Sequence, residues 1–341
     1  MKKKYTAIDL FSGCGGLTVG LKKAGFEVLG AVEIDSLAVQ TYKANHTNVV
    51  VWEKNIRDLK CSSIKKNLNL KKGELDLLAG CPPCQGFSSL NTLNGAYVVN
   101  DERNDLVFDF FRFVEEMLPK VVMMENVPGL ASDKRFKKFL TCMAKLGYAG
   151  EYKILDAYDY GVPQHRRRLI YMASLKGPVE FALPARKKIC VRDAIGHLPP
   201  AGKSGDKIHD IVENRSPRIM EMIKKIPKNG GSRKDLPLKL QLSCHKRCNG
   251  FNDVYGRMSW DKPAPTLTSG CFNPSKGRFL HPVKNRAITM REAALLQGFP
   301  KNYKFTATYN KQTLALMIGN ALPPEFIRRH AMVLKKSLHG K

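Results

Sequence analysis

No apolar run in this chain approaches the ~20 residues of a membrane span. The N-terminus, Met1-Lys2-Lys3-Lys4-Tyr5, is basic, but it leads into a strand pattern and not into a signal-peptide core. The chain has no internal repeat and no low-complexity tail, which excludes solenoid and disordered classes. Its nine cysteines follow no regular spacing, so they make no disulfide framework and read as reduced thiols. A cytoplasmic globular protein without membrane partners is expected, nuclear if the source is eukaryotic. Acid is also scarce: 30 Asp plus Glu stand against 57 Lys plus Arg, a net charge of +27. Such an excess suits a polyanion, most simply nucleic acid, although a basic surface can also serve solubility.

The 341 residues, 43% of them hydrophobic, suffice for one large or two ordinary domains. The first part alternates strand and helix signals, as a doubly wound, mostly parallel α/β sheet does. Strands are expected at Tyr5 to Leu10, Phe26 to Val32, Glu74 to Ala79, Lys120 to Met124 and Leu169 to Ala173. Helices are expected at Leu17 to Lys23, Ser36 to Asn45 and Asp105 to Leu118. From Pro184 to about Pro282 the chain turns rich in Lys, Arg, Gly and Pro, with one helical pattern at Ser216 to Lys225. Thr289 and Glu292 then have capping-box spacing before an apolar helix that stops at Gly298. The expected division is a first domain over 1–182, completed by 317–341. A smaller, irregular, basic domain covers 183–286, and a return segment covers 287–316.

Four places carry chemistry. Gly80-Cys81-Pro82-Pro83-Cys84-Gln85-Gly86-Phe87-Ser88 follows an apolar strand, and open α/β sheets place ligands at that strand end. The two prolines stiffen a loop that can aim one thiolate. Cys81 and Cys84 also form a CxxC pair, which by itself reads equally as a redox dithiol or half a zinc site. Asp9-Leu10-Phe11-Ser12-Gly13-Cys14-Gly15-Gly16 is a Gly-rich turn between strand and helix, and Glu33 follows Gly13 by twenty residues at the end of the second strand. That is where a carboxylate can bind ribose hydroxyls, so the pair points to an adenosine-containing cofactor. The glycines fall short of a full GxGxxG, and NAD and S-adenosylmethionine both stay open. Glu125-Asn126 ends another strand, where a partly desolvated carboxyl can give up a proton, or merely cap a loop. Gln164-His165-Arg166-Arg167-Arg168 precedes a strand, and alternation sends Arg166 and Arg168 to one side. Two guanidinia there suit a phosphate or a base carbonyl, and a solvated edge strand is the plain alternative.

Taken in order, these segments resemble the DNA (cytosine-5) methyltransferases of prokaryotic type. Arg257-Met258-Ser259-Trp260-Asp261-Lys262-Pro263-Ala264-Pro265-Thr266 and Gly319-Asn320-Ala321-Leu322-Pro323-Pro324 extend the resemblance over nearly the whole chain. The resemblance implies the S-adenosylmethionine-dependent methyltransferase fold and methylation of cytosine C5 in a specific short duplex DNA sequence. Cys84 would add to C6 of a flipped-out base. Glu125 would hold and protonate N3, and Arg168, with Arg166 nearby, would anchor O2. S-adenosyl-L-methionine would sit against Phe11, Gly13, Cys14 and Gly16, with Glu33 and Ile34 at the ribose and adenine. Pro83, Leu106, Asn320 and Ala321 would complete that pocket. The family's Asp-Ile pair at the adenine amine corresponds to Asn55-Ile56, with Asp58 as a substitute. Gln85 and Ser88, the polar lid from Ser89 to Asn100, and Arg233, Lys246 and Arg247 would meet DNA. Cys244, His245 and Cys248 lack the second well-spaced pair of a zinc site, so no metal is expected.

The resemblance also implies a monomer, with a cognate restriction endonuclease acting on the same site without stable binding. With no regulatory domain ahead of the catalytic one, a bacterial, archaeal or phage origin is expected. Three alternatives remain: methylation of cytosine in transfer RNA by the same chemistry, a CxxC oxidoreductase, and a DNA-binding protein without activity. In the family, Gly86 and the long basic segment favour DNA over RNA. An oxidoreductase would leave Glu125 and Arg168 without a purpose.

Overall fold

The computed structural model describes residues 4–83, 105–211, 213–242, 253–305 and 307–338. The chain divides into two compact units. The first comprises Met1–Tyr160, Arg167–Pro184 and Leu322–Lys341, and the second Gly161–Arg166 and Ala185–Ala321.

The first unit is built on a seven-stranded sheet: β1 (Tyr5–Leu10), β2 (Phe26–Glu33), β3 (Val50–Glu53), β4 (Leu77–Gly80), β5 (Val121–Asn126), β6 (Ala149–Asp156) and β7 (Arg167–Ser174). Their order is β3-β2-β1-β4-β5-β7-β6, and only β7 runs against its neighbours. The helices of this unit are α1 (Gly16–Lys23), α2 (Ser36–Asn45), α3 (Cys61–Asn67), α4 (Leu106–Met117) and α5 (Lys134–Lys145), with the long C-terminal helix Pro324–Leu338. Every residue of β4 and β5 is buried, as apolar strands covered on both faces require.

Strand order reverses between β1 and β4, which pair in parallel with Leu10 beside Gly80. This is the topological switch point, where an open α/β sheet has its ligand crevice. Gly80 is needed there: a Cβ would lie 2.8 Å from the Leu10 carbonyl oxygen and 2.9 Å from the Phe110 ring. The core on the α4–α5 side is aromatic, with Phe110, Phe113, Phe136, Phe139 and Tyr171 fully or almost fully buried.

The second unit is mostly irregular. It holds α6 (Val191–Ile195), α7 (Pro217–Lys225), α8 (Met290–Leu296) and α9 (Lys311–Asn320), with several single 3₁₀ turns. The C-terminal helix of the first unit, which follows in sequence, is α10. A small core of Met222, Ile223, Ile226, Leu236, Tyr255 and Leu280 centres on α7. The capping box at α8 forms as its spacing predicts: the Glu292 amide donates to Thr289 Oγ1 at 3.2 Å, and Glu292 Oε2 accepts from the Thr289 amide at 2.7 Å.

The division differs from the sequence expectation. The first boundary falls after Pro184, the chain re-enters the first unit at Leu322, and 287–316 lies inside the second unit instead of forming a separate segment. Residues 161–166 also belong to the second unit because their side chains are used there. Gln164 Nε2 donates to Gln297 Oε1 at 2.7 Å, and Gln164 Oε1 accepts from the Leu267 amide at 2.9 Å.

Candidate active site

The carboxyl ends of β2, β1, β4 and β5 open on one side of the sheet, and the start of β7 joins them because that strand runs backwards. The turn after β1 is tight and largely left-handed, with φ of 60° at Phe11, 52° at Gly13 and 96° at Gly15. The Glu33 carboxylate fixes it from the next strand. Its Oε2 accepts from the Gly13 amide at 2.7 Å, and Oε1 accepts from the amides of Ile34 and Asp35 at 2.8 and 2.9 Å. Three of a carboxylate's about four acceptor positions are therefore taken, and one remains on Oε2. A Cβ built on Gly13 meets nothing within 4 Å, so the turn faces open space. Ile34 stands 65% exposed beside it. An anchored carboxylate, an open glycine turn and an exposed apolar side chain fit the ribose and adenine of an adenosyl group.

Below the turn lies a polar chain that sequence reasoning missed. Asp9 Oδ2 accepts from Thr18 Oγ1 at 2.7 Å, and Thr18 Oγ1 meets the Tyr42 hydroxyl at 2.7 Å. All three residues are completely buried. Burial, helped by the charge of Glu33, raises the Asp9 carboxyl to about 7, against the opposing Thr18 hydrogen bond. Asp9 stands inside an apolar run, and its partners come from two helices. Only its acidity within that run could have signalled it.

At the other side of the switch, β4 and β5 pair with Gly80 beside Met124, which brings Cys81 and Glu125 to neighbouring strand ends. Asn126 Nδ2 donates to the Pro82 carbonyl at 2.9 Å and ties the β4 exit to β5. Arg168 Nε lies 2.8 Å from Glu125 Oε1, and its Nη1 donates to the Arg167 carbonyl at 2.7 Å. The pair is mostly buried, so it meets any ligand as a preset donor and acceptor. Burial first, then the carboxylates of Glu125 and Asp9, push the Cys81 thiol well above its ordinary range. Cys81 is thus a poor thiolate, which weighs against a dithiol mechanism.

The remaining expected residues are placed as follows. Gly16 opens α1 and is buried. Cys14 is buried, and desolvation pushes its thiol up to about 12, so this residue has only backbone to offer a ligand. Asn55 caps the 3₁₀ turn Ile56–Asp58 by accepting from the Arg57 amide at 3.1 Å, and Ile56 is buried. Pro83 is exposed, and Leu106, half-buried, opens α4. Asn320 ends α9, exposed, and Ala321 follows it half-buried; both lie in the second unit.

Two expectations are corrected. Arg166 does not share a strand face with Arg168, because β7 starts at Arg167 and Arg166 belongs to the second unit. Its buried guanidinium donates to the carbonyls of Leu267 and Gly319 at 3.0 and 2.8 Å, a backbone-holding role. Arg233, expected at DNA, is 5% exposed, because the capped 3₁₀ turn Arg233–Asp235 turns it inward. Cys84, Gln85, Ser88, the lid from Ser89 to Asn100, Cys244, His245, Lys246, Arg247 and Cys248 lie outside the described residues. Among the described residues, no helix is long and apolar enough to cross a membrane.

Known proteins resemble this chain along its length. The type II methylase M.HgiDII of Herpetosiphon aurantiacus is 34% identical, over 98% of this chain and 96% of its own. The type II methyltransferase M1.HphI of Haemophilus parahaemolyticus is 35% identical, over 94% of this chain and 83% of its own. Among solved structures, an Escherichia coli protein described as a DNA modification methyltransferase encoded within a prophage superposes with a TM-score of 0.71 at 27% identity. That match covers 98% of this chain and all of the other. The sequence model of the C-5 cytosine-specific DNA methylases matches residues 5–336, every element of the sheet included, and the chain therefore belongs to that family.

Proposed function

We propose that this DNA (cytosine-5-)-methyltransferase works through a covalent bond between Cys84 and C6 of a cytosine flipped out of a short, specific duplex sequence, with S-adenosyl-L-methionine as methyl donor. One observation carries the reading: the turn anchored by Glu33 and the Glu125–Arg168 pair open at the same end of the sheet, on either side of the strand that leads into Cys84. Three strand spacings separate β2 from β5, about 14 Å. An adenosyl group and a base fit side by side over that span.

Cytosine C5 is a weak nucleophile. The Cys84 thiolate adds to C6 while Glu125 passes a proton to N3, which leaves C5 enamine-like. Arg168, set against Glu125, donates to O2 and steadies the charge that develops on the ring. Glu33, the Gly13 turn and Ile34 hold S-adenosyl-L-methionine, which supplies an electrophilic methyl on sulfonium for C5 to take. Loss of the C5 proton to a base, expulsion of the thiolate and return of the N3 proton to Glu125 restore the ring as 5-methylcytosine. The target must leave the stack for any of this geometry to be reached.

The test is mechanism-based trapping. A duplex methylated by the enzyme is remade with 5-fluorocytosine at the target, which has no C5 proton to lose. With S-adenosyl-L-methionine present, the wild-type chain is expected to form a denaturation-resistant adduct. Cys84→Ser is expected to form none and to bind the cofactor nearly as well, while Cys81→Ser retains substantial activity. A wild-type chain that methylates the normal duplex and is never trapped overturns the covalent route. Equal loss in the two cysteine variants restores the dithiol reading. Transfer RNA assayed in parallel is expected to accept no methyl.

A further inference from the structure

Helix α5 holds five cations and no acid in twelve residues. Phe136, Phe139 and Met143 face the core. Lys134, Lys137, Lys138 and Lys145 are exposed. Arg135 is occupied, with Asp133 at 2.9 Å and Asp105 at 3.5 Å. Among the described residues no ion pair holds the four lysines, and Lys138 Nζ lies 5.4 Å from the centre of the Phe108 ring. Lys134 stands three and four residues before Lys137 and Lys138, and like charges at that spacing destabilise an isolated helix. The helix carries that repulsion with no acid of its own to relieve it.

Position adds to composition. The chain leaves β5 at Asn126, makes the 3₁₀ turn Pro128–Ser132 and enters α5 at Lys134. The first turns of α5 therefore stand at the end of the sheet where Glu125 and Arg168 lie. At 1.5 Å per residue the helix is about 18 Å long, which puts Lys145 at the far end. Neighbours three or four apart are about 5–6 Å from each other, while one DNA strand presents a phosphate per about 3.4 Å of axis. A row of exposed lysines suits backbone phosphates, which position a duplex and carry no sequence.

We propose that Lys134, Lys137 and Lys138 form a phosphate-binding face that holds duplex DNA flanking the methylated site. The proposal rests on the reading of duplex DNA as substrate. It assigns to the first unit a share of the affinity that the sequence placed in the basic segment of the second.

The test uses the full chain and two duplexes with the same target, one of about 12 base pairs and one of about 30, roughly 40 and 100 Å at 3.4 Å per pair. Binding is measured by fluorescence anisotropy across a salt series, and methylation by single-turnover assay. The wild-type chain is expected to bind the longer duplex roughly tenfold more tightly near 0.1 M salt, with a log–log salt slope steeper by about 0.9 for each added contact. The variant Lys134→Gln/Lys137→Gln/Lys138→Gln is expected to lose that length dependence and still methylate the short duplex at the wild-type rate. Each single Lys→Gln change removes a part of the effect, and Lys145→Gln removes none. A wild-type chain that binds both lengths equally, or a triple variant that keeps the preference, overturns the proposal. Wild-type failure to methylate either duplex overturns the substrate reading, and this face with it.

Discussion

Asp9 shows how one residue couples the glycine-rich turn after β1 to the core. In the unfolded chain its carboxyl has the ordinary value of 3.8, and folding raises it to about 7. The folded state thus prefers the protonated form. Stability tied to that preference is fully present below about pH 4, falls as pH rises, and is gone above about pH 7. Three units correspond to roughly 4 kcal/mol at 1.36 kcal/mol per unit. Asp9→Asn keeps an acceptor for Thr18 and cannot ionise. Its thermal midpoint is expected to fall less than that of the wild type between pH 5 and 8, as followed by calorimetry. Parallel curves would mean that Asp9 carries no such penalty. The sequence showed that Glu33 stands at the end of the second strand, because strand-end position is a local property. It could not show the three amides on that carboxylate, nor the chain from Asp9 through Thr18 to Tyr42. Those depend on where β1, α1 and α2 come to rest.

At the scale of elements, periodicity served where one face or both faces are buried. Helix α2 spans Ser36–Asn45 as its pattern predicts, and β1 spans Tyr5–Leu10. Strand β6 went unread because it lies at the sheet edge with most of its residues exposed, and α5 because lysines crowd its narrow apolar stripe. The irregular second unit has less periodicity to read, and polar bonds hold it instead. Arg257, fully buried, spends all five donors. Nε reaches the Ile226 carbonyl at 3.1 Å. Nη1 reaches those of His281 and Lys284 at 3.1 and 2.6 Å, and Nη2 that of Ile223 at 2.7 Å and Asn285 Oδ1 at 2.8 Å. Two of these carbonyls close the C-terminal end of α7, where a cation is favoured. Arg257→Met would fill the space and strand the buried carbonyls of Ile223, Ile226 and His281, at about 1–3 kcal/mol for each one left unsatisfied. Urea denaturation is expected to rank the wild type above Arg257→Lys, and Arg257→Met last by about 3 kcal/mol or more. A Met variant as stable as the wild type would mean that the cage holds nothing.

For the whole molecule, the cage bears on how target choice can be moved. A narrower exchange would take only the basic stretch from Arg186 to Gly256. Cutting after Gly256 would separate Arg257 from Ile223 and Ile226, its partners on α7. It would also part Arg278 from the Gly230 and Gly231 carbonyls, which it reaches at 2.8 and 3.3 Å. The physical unit is Gly161–Arg166 with Ala185–Ala321, and an exchange along those bounds keeps its bonds intact. A chimera that takes this whole unit from a relative of different target is expected to fold and to methylate the relative's site. One that takes only 186–256 is expected to melt lower and to methylate weakly. Bisulfite sequencing of DNA from cells expressing each chimera gives the modified site, and calorimetry of the purified chains gives stability. If the whole-unit chimera is active and keeps the original target, base reading belongs to the first unit, which carries the Glu125–Arg168 pair. If the short exchange moves the target at full stability, recognition is separable from the Arg257 cage, and the second unit is two functional pieces instead of one.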